Sequence, residues 1–290
     1  MFFEYNFYDG VSFYETFTPI KKEVEVPLNL LPFAEQMSEH HSLDLVISTT
    51  EPIKSSEQYE MDNNKCIVLF SSGIDSTWSL IYALENGLTP YPVYIEGLNS
   101  SVSSREKKSC LEIVDKLGLN LITFKHQSNL KKLHRNEDNI IKIPESLAKL
   151  QYALMLCKQL FIEERIGQVL VTVDEDSAIF NNPTSQLDEN QEEIEWFSDA
   201  PESMETFLPF LSDYVGGDIE GLYPKVAKGE KIKLLIDKGL FELTTSCILN
   251  PMFFIGHRKK NHAPKEYMNM CGVCWKCKEN LKFLAELGVI

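Results

Sequence analysis

The segment that most constrains the fold is an apolar run, CIVLF at 66–70, which leads at once into the small polar residues SSGIDST and an amphipathic stretch, Trp78 to Asn86. A short apolar run bounded in this way is typical of a strand buried on both faces. The same alternation continues through strands at 91–95, 119–124 and 168–173 and helices at 103–117 and 144–165. This pattern predicts an α/β fold: a doubly wound parallel sheet with helices on both faces and ligands at the carboxyl ends of its strands.

The residues before this core predict a small β-rich N-terminal module at residues 1–64. Aromatic residues from Phe2 to Phe17 alternate with polar ones around Asp9-Gly10, a dipeptide suited to a tight hairpin turn. A strand at 22–30, a helix at 31–40, a strand at 43–48 and a polar linker are expected to follow. The remaining chain is divided at residue 246, with an acidic insertion at about 181–221. Because its periodicity is weak, we interpret this insertion as a surface excursion over the site or a partly mobile segment, the ordinary alternative being a solvated face. Two further helices are predicted, at 228–239 and 276–287.

The charge distribution excludes several classes of function. The net charge is −15, and residues 166–224 contain no lysine or arginine. A chain of this kind repels a phosphate backbone, so we expect no generic nucleic-acid binding. Because no apolar run is long enough to cross a bilayer and the N-terminus lacks the pattern of a signal peptide, we expect no membrane association and a cytoplasmic location.

The turn at 71–77 has the composition of a phosphate-binding loop. Small residues let the backbone approach a ligand, and amides at a helix start attract anions. The hydroxyls of Ser71, Ser76 and Thr77 can donate to phosphate oxygens. Asp75 would repel phosphates unless a divalent cation bridged them, so we assign it to Mg²⁺. The alternative is an ordinary helix N-cap in which Asp75 or Ser76 satisfies the free amides.

Four cysteines near the end of the chain predict a metal site. Cys271, Cys274 and Cys277 form two overlapping CxxC steps, and Cys247 lies upstream. A CxxC turn brings two thiolates to one ion, and four thiolates favour structural Zn²⁺. An iron–sulfur cluster is the main competing interpretation, followed by free buried cysteines or a redox pair. The other three cysteines are predicted to lie in the core; they are Cys66, Cys110 and Cys157.

These motifs resemble one known group of proteins. SSGIDS is similar to the SGGxDS loop of the PP-loop superfamily of N-type ATP pyrophosphatases, and ELTTSC (242–247) with CGVCWKC (271–277) resembles the zinc elements of the QueC-like 7-cyano-7-deazaguanine synthases. The resemblance extends over residues 65–290 and implies a Rossmann-like PP-loop domain at 65–246 and a zinc-binding segment at 247–290. It implies ATP, Mg²⁺ and Zn²⁺ as cofactors. The residues that it assigns to ATP are Ser71, Ser72, Gly73, Ile74, Asp75, Ser76 and Thr77.

One position departs from the loop motif. Ser72 stands where the motif has its first glycine. If the position requires a positive φ angle, a serine there would be strained and ATP binding would be weakened.

The resemblance implies an ATP-dependent carbon–nitrogen ligase of queuosine biosynthesis. Such an enzyme adenylates the carboxylate of 7-carboxy-7-deazaguanine and transfers the acyl group to ammonia, giving an amide and then a nitrile. The candidate catalytic residues are Asp75, Lys228, which would stabilise charge at the α-phosphorus, and Glu230, which would hold Lys228. Glu96 and Glu175, near strand ends, are candidates for binding the substrate. Lys228, Glu96 and Glu175 could equally be ordinary solvated residues.

Two other functions remain open. Residue 2 is Phe rather than Cys, so we expect no N-terminal-cysteine glutaminase and expect free ammonia or an external amine as the nucleophile. QueC-like proteins of antiphage defence suggest a ligase that attaches the activated deazaguanine to a protein amine, with residues 1–64 binding the protein partner. The third alternative is not an enzyme. It is a nucleotide-binding scaffold that zinc stabilises and in which Ser72 has disabled the loop. The sequence also leaves a homodimer open.

Overall fold

The structure is a computed structural model of the 290-residue chain. It describes residues 2–6, 12–16, 22–40, 45–96, 103–125, 145–174, 200–245 and 275–290. The strands in these ranges are β1 Phe2–Asn6, β2 Ser12–Thr16, β3 Lys22–Pro27, β4 Leu45–Thr50, β5 Asp62–Leu69, β6 Thr89–Glu96, β7 Ile122–Lys125, β8 Ile166–Leu170, β9 Val173–Asp174, β10 Glu220–Leu222 and β11 Lys225–Val226. The α-helices are α1 Leu31–His40, α2 Ile74–Glu85, α3 Ser103–Leu117, α4 Glu145–Leu156, α5 Lys158–Glu164, α6 Ala200–Val215, α7 Lys228–Asp237 and α8 Trp275–Glu286.

Five of the strands form one parallel sheet in the order β10-β8-β5-β6-β7. Strands β6 and β7 run parallel, with Val93 opposite Ile122. Three consecutive residues of β5, Cys66, Ile67 and Val68, are buried, as expected for a strand covered on both faces. The predicted α/β class with a parallel sheet is therefore confirmed. The predicted N-terminal hairpin is confirmed as well, because β1 and β2 pair antiparallel.

The predicted helix at 144–165 is interrupted near its middle. Helix α4 ends at Leu156 and α5 begins at Lys158. The amide of Cys157 donates to the carbonyl of Leu154, three residues back, at 3.0 Å. This tighter turn interrupts the α-helical pattern between the two segments. A second difference lies at 28–30, predicted as strand, where the chain forms a 3-10 helix instead.

The interpretation of the acidic stretch as a surface excursion is wrong for residues 200–215, which form helix α6. One face of this helix is buried at spacings of three and four residues, as in an amphipathic core helix. The buried residues are Met204, Phe207, Leu208, Phe210, Leu211, Tyr214 and Val215. Pro209 lies inside the helix and is exposed. The burial of so many large apolar groups outweighs the hydrogen bond that a proline removes from a helix.

The chain divides into two compact units, the first formed by Met1–Lys65, Ser128–Val169 and Asp199–Gly221. In this unit the rings of Phe33 and Phe207 pack edge to face, with centroids 5.6 Å apart. The side-chain amide of Asn29 donates to the carbonyl of Ile53 at 2.8 Å and to the carboxylate of Asp213 at 3.0 Å. These contacts join the helical part of the unit to the segment that follows β4.

The second unit comprises Cys66–Gln127, Leu170–Ser198 and Leu222–Ile290. Its apolar core is contributed by the end of β5 and by helices α2, α3, α7 and α8. Buried members of this core include Phe70, Ile74, Leu80, Ile113, Ile232, Leu235 and Leu284. The loop that follows β5 and the start of α7 both belong to this unit. None of the helices in the described residues is both long and apolar enough to span a bilayer.

Candidate functional site

The loop after β5 is anchored to the sheet and leads directly into α2. The amide of Phe70 donates to the carbonyl of Val93 on β6 at 2.7 Å. Gly73 is the N-cap residue of α2, with φ −70° and ψ 165°, and no side chain caps this helix start. Of the two residues considered as alternative caps, Asp75 pairs with Lys228, whereas Ser76 Oγ accepts a hydrogen bond of 3.3 Å from the amide of Ser71. Free amides at a helix start attract anions, so this turn is suited to hold one.

The hydroxyl groups of the loop divide into two sets. Ser71 is exposed, and its Oγ lies 3.5 Å from that of Ser76. Ser76 is partly exposed, but its Oγ donates to the carbonyl oxygen of Gly73 at 3.3 Å and accepts from the amide of Ser71 at 3.3 Å. Thr77 is fully buried, and its Oγ1 donates to the carbonyl oxygen of Gly73 at 2.7 Å. The expectation that the Thr77 hydroxyl faces a phosphate is thus wrong, because this group completes the first turn of the helix. Ile74 is also buried and packs in the core.

Ser72 has a left-handed backbone conformation, with φ +58°. This is the positive φ angle that would strain a serine at the first glycine of the motif. The whole residue is fully buried, so neither its side chain nor its backbone is exposed to a ligand. The Ser72 carbonyl accepts a hydrogen bond of 2.7 Å from the amide of Thr245. The Thr245 hydroxyl in turn lies 2.7 Å from the Ser109 hydroxyl on α3.

Two lysines of α7 converge on Asp75 in the first turn of α2. Lys228 Nζ donates to both carboxylate oxygens of Asp75, at 2.9 Å each, and Lys231 Nζ donates to Oδ1 at 3.2 Å. The Lys228 side chain is 10% exposed and that of Lys231 is 0% exposed, whereas that of Asp75 is 46% exposed. With Asp75 ionised, the three groups carry a net charge of one positive unit beside the phosphate loop.

The protonation state of Asp75 follows from these contacts. Burial alone would raise the pKa of its carboxyl group, but the charges and hydrogen bonds of Lys228 and Lys231 outweigh this effect and lower the pKa well below its usual range. Asp75 is therefore ionised at neutral pH. Both of its carboxylate oxygens accept hydrogen bonds from ammonium groups, an environment that does not fit the magnesium ligand expected at this residue.

Lys231 was missed by the sequence analysis. It stands three residues after Lys228 on a helix, and this spacing places both side chains on one face. Lys231 Nζ also lies 5.9 Å from the centroid of the Trp78 ring on α2. The sequence signal that could have identified Lys231 was the pair of lysines at this spacing, together with the aspartate in the loop at 71–77.

The two glutamates expected at the site have different surroundings. Glu230 is exposed, and the carboxylate that holds Lys228 is that of Asp75, which corrects the role expected for Glu230. Glu96 lies at the end of β6, as expected, where it accepts a hydrogen bond of 2.8 Å from Lys107. This bond lowers the pKa of the Glu96 carboxyl group. Glu175 lies outside the described residues.

The structure describes only one of the four cysteines of the predicted metal site. Cys277 is buried on α8, and Cys247, Cys271 and Cys274 lie outside the described residues. In the ranges given above, no cluster of three or more histidine, cysteine, aspartate or glutamate side chains is placed to hold a metal ion.

The other three cysteines lie in the core, as predicted. Cys66, Cys110 and Cys157 are each fully buried. Burial raises the pKa of the Cys66 and Cys110 thiols to about 12. These thiols are therefore protonated and unsuited to bind metal at neutral pH.

Comparison with known proteins identifies no family. No protein-family model matches the chain, and no curated protein matches it. Among solved structures, the chain is similar to the U34-tRNA thiolase NcsA from Methanococcus maripaludis with its 4Fe-4S cluster. The match has 12% sequence identity and a TM-score of 0.38, and it covers 87% of this chain and 80% of the thiolase chain. At this level of similarity we draw nothing about function from it.

Proposed function

We propose that the chain is an ATP-dependent enzyme that binds the triphosphate of ATP between the loop at 71–77 and the start of α7. The observation that carries this proposal is the convergence of Lys228 and Lys231 on the first turn of α2. Lysines are seldom buried unless they meet negative charge. Asp75 pairs with both of them, and this cluster lies in the first turn of α2, next to the amides of the helix start. A polyphosphate supplies the matching negative charge.

The proposed reaction is the adenylation of a carboxylate, and the resemblance to QueC-like synthases suggests 7-carboxy-7-deazaguanine as the substrate. A resting carboxylate is a poor electrophile, so it first needs a leaving group. A carboxylate oxygen attacks the α-phosphorus of ATP, the bond between the α-phosphorus and the bridging oxygen breaks, and pyrophosphate leaves. Ammonia then attacks the acyl carbon of the adenylate and loses a proton, and AMP leaves with the former carboxylate oxygen. The product is the amide, which a second activation converts to the nitrile.

The chain's own residues contribute mainly electrostatics to this reaction. Lys228 and Lys231 stabilise the charge that develops as pyrophosphate leaves, because they lie in a largely buried position where such interactions are strong. The exposed hydroxyl of Ser71 donates to a phosphate oxygen. Mg²⁺ that arrives with ATP would neutralise part of the phosphate charge. Glu96 and Glu175 are proposed to contact the base, and the four cysteines are proposed to hold a structural zinc ion.

The acyl acceptor distinguishes two versions of the enzyme. Free ammonia makes the chain a 7-cyano-7-deazaguanine synthase, as the motif resemblance suggests. A protein amine makes it a ligase, with residues 1–64 proposed to bind the protein. The non-catalytic scaffold remains the alternative if the strain at Ser72 prevents ATP binding.

The test is release of pyrophosphate from ATP with Mg²⁺ and 7-carboxy-7-deazaguanine. We expect release that requires all three, falls sharply in K228M and is unchanged in K233M. Lys233 is the matched control because it lies on the same helix but is exposed. If no carboxylate supports release from the folded protein, the enzyme proposal fails and the scaffold is favoured.

Mass spectrometry of the product identifies the acceptor. With ammonium present, a nitrile product supports the synthase. A mass increase on a partner protein, by the deazaguanine acyl group, supports the ligase. Release of pyrophosphate that yields neither product with either acceptor would contradict both versions.

A further inference from the structure

We infer that the outer edge of β4 is a docking surface for a basic, extended segment of a partner protein, which joins the sheet of β3 and β4 as a third strand. Residues 1–64, which the ligase version of the proposed function assigns to a protein partner, thereby gain a defined surface and a partner of defined charge. Because the loop at 71–77 takes no part in this docking, the docking and the proposed use of ATP can fail separately.

Strand β4 pairs with one other strand in the part of the chain that the structure describes. It runs parallel to β3 through six consecutive residue pairs, from Lys22 opposite Leu45 to Pro27 opposite Thr50, without a bulge. These two strands form a sheet of their own. The backbone N–H and C=O groups on the far side of β4 therefore point away from β3, and such an edge is a template for a further strand.

The sequence of β4 lacks the features that normally protect an edge strand. Natural edge strands carry charged residues, prolines or bulges that prevent pairing with another chain. Strand β4 has the sequence LVISTT, with no charge and no proline, and four of its six residues are β-branched. Strand β3, with the sequence KEVEVP, carries three charged residues and a proline. Of the two strands, β4 is thus the one whose composition favours pairing with another strand.

The two faces of this sheet differ. On one face, Val26 of β3 and Ile47 of β4 pack against helix α1. On the other face, Glu25 lies opposite Ser48 in the register, and both residues are exposed. Val46 is two residues from Ser48, so it lies on the same face, and it is 37% exposed. An added strand would therefore have an open face that is shared with a carboxylate.

The charge of the module selects the partner. Residues 1–64 contain twelve acidic and three basic side chains. Glu25 lies on the open face, and Glu51, which directly follows β4, is exposed. A basic segment is attracted to this edge, whereas a second copy of the chain would bring a module of the same negative charge. A nucleic-acid backbone is repelled for the same reason.

The spacing of strands allows a lysine of the added segment to reach Glu25. Neighbouring strands lie about 4.8 Å apart, so the added strand would lie about 10 Å from β3. Because Ser48 is small, a lysine beside it can extend across β4 toward the Glu25 carboxylate. Main-chain hydrogen bonds to β4 provide affinity, and side chains at alternate positions provide specificity. The segment that fits best has a lysine or arginine at every second position.

The experiment is calorimetric titration of the full chain with two capped peptides of alternating sequence, VKTKVKTK and VETEVETE. We expect the lysine peptide to bind at least about tenfold more tightly than the glutamate peptide. E25Q should weaken binding of the lysine peptide at least about threefold, and E35Q should change it by less than about twofold. Glu35 is the matched control, because it is exposed on α1, which covers the opposite face of the sheet.

Hydrogen exchange measured by NMR separates strand addition from a general attraction between opposite charges. In the free protein we expect the β4 amides that point toward β3 to exchange slowly and those that point away to exchange quickly. The bound lysine peptide should slow exchange of the second set at least about tenfold. An acidic surface that merely attracts the peptide leaves this exchange unchanged.

Unchanged exchange of the β4 amides with the lysine peptide bound overturns the inference, as do equal affinities for the two peptides or equal effects of E25Q and E35Q. A folded wild type that binds neither peptide also overturns it. Slow exchange of both sets of amides without peptide, together with a dimer in sedimentation, assigns the edge to a second copy of the chain instead. None of these results affects the release of pyrophosphate, which tests the proposed function.

Discussion

The backbone amide of Thr245 donates a hydrogen bond of 2.7 Å to the carbonyl oxygen of Ser72. Thr245 follows the 3-10 helix Phe241–Leu243, and its hydroxyl lies 2.7 Å from that of Ser109 on α3. The loop at 71–77 is thus held by a residue that is distant in the chain. Thr245 belongs to the segment 242–247, whose sequence resembles part of a zinc element. The left-handed backbone of Ser72 persists because these contacts stabilise it.

Replacing Ser72 with glycine should stabilise the protein. At φ +58° an L-residue is strained by about 1 kcal/mol, and glycine is not. We expect S72G to raise the free energy of unfolding by about 0.5–1 kcal/mol in urea denaturation. The control is S71G, where φ is not positive and glycine should lower stability through the entropy of the unfolded chain. A less stable S72G would show that the serine side chain contributes more than its strain costs.

Replacing Lys231 should weaken ligand binding more than folding. Methionine has a similar volume and leaves Asp75 paired with Lys228, so we expect K231M to change stability by no more than about 1.5 kcal/mol. Loss of one buried positive charge should weaken binding of Mg²⁺–pyrophosphate by about tenfold or more. Calorimetry measures the affinity, with K233M as the exposed control on the same helix. Equal affinities of K231M and K233M would remove Lys231 from the site.

The pairing of Asp75 should make stability depend on pH. Its pKa in the folded state lies below the ordinary value of about 3.9, so its contribution is fully present above that value. The contribution is lost as the pH falls through the lower folded-state pKa. We expect the stability difference between wild type and D75N to be constant from about pH 7 to about pH 5 and to shrink below about pH 4. Urea denaturation at each pH measures it, and E112Q reports the general effect of acid.

The cysteine motif predicts a bound metal. We expect elemental analysis of the purified protein to find about one zinc ion per chain, and C274S to lose it. C157S is the control, because Cys157 is buried in the core and apart from the motif. Iron in place of zinc would overturn the zinc assignment in favour of an iron–sulfur cluster.

Helix α6 should contribute strongly to stability, although it lies in an acidic stretch. Phe210 is fully buried on this helix and packs 5.7 Å from the ring of Phe207. We expect F210A to lower the free energy of unfolding by about 3–5 kcal/mol in urea denaturation. E205Q, at an exposed position of the same helix, should change it by less than about 0.5 kcal/mol. A small effect of F210A would mean that this helix contributes little to the cooperative core.

The sequence alone determined the order of strands and helices around the site and the place of the phosphate loop. Helices α1 and α3 have the predicted bounds, and β5 runs into the loop and α2 as expected. These features are readable because hydrophobic periodicity and turn residues act over a few neighbouring positions. Helix α6 escaped prediction because an internal proline and flanking acidic residues obscured an apolar face that only packing shows.

Only the tertiary structure decided which charged groups meet. Asp75 lies on α2 and Lys231 on α7, and no local pattern specifies that the crossover connections bring them within 3.2 Å of each other. The same holds for Ser72 and Thr245, whose hydrogen bond sets the shape of the loop. The pKa of the Asp75 carboxyl group and the strain at the φ angle of Ser72 therefore depend on partners that are far away in the chain. The packing of the core fixes the positions of these partners, and this packing depends on the whole sequence rather than on any short segment of it.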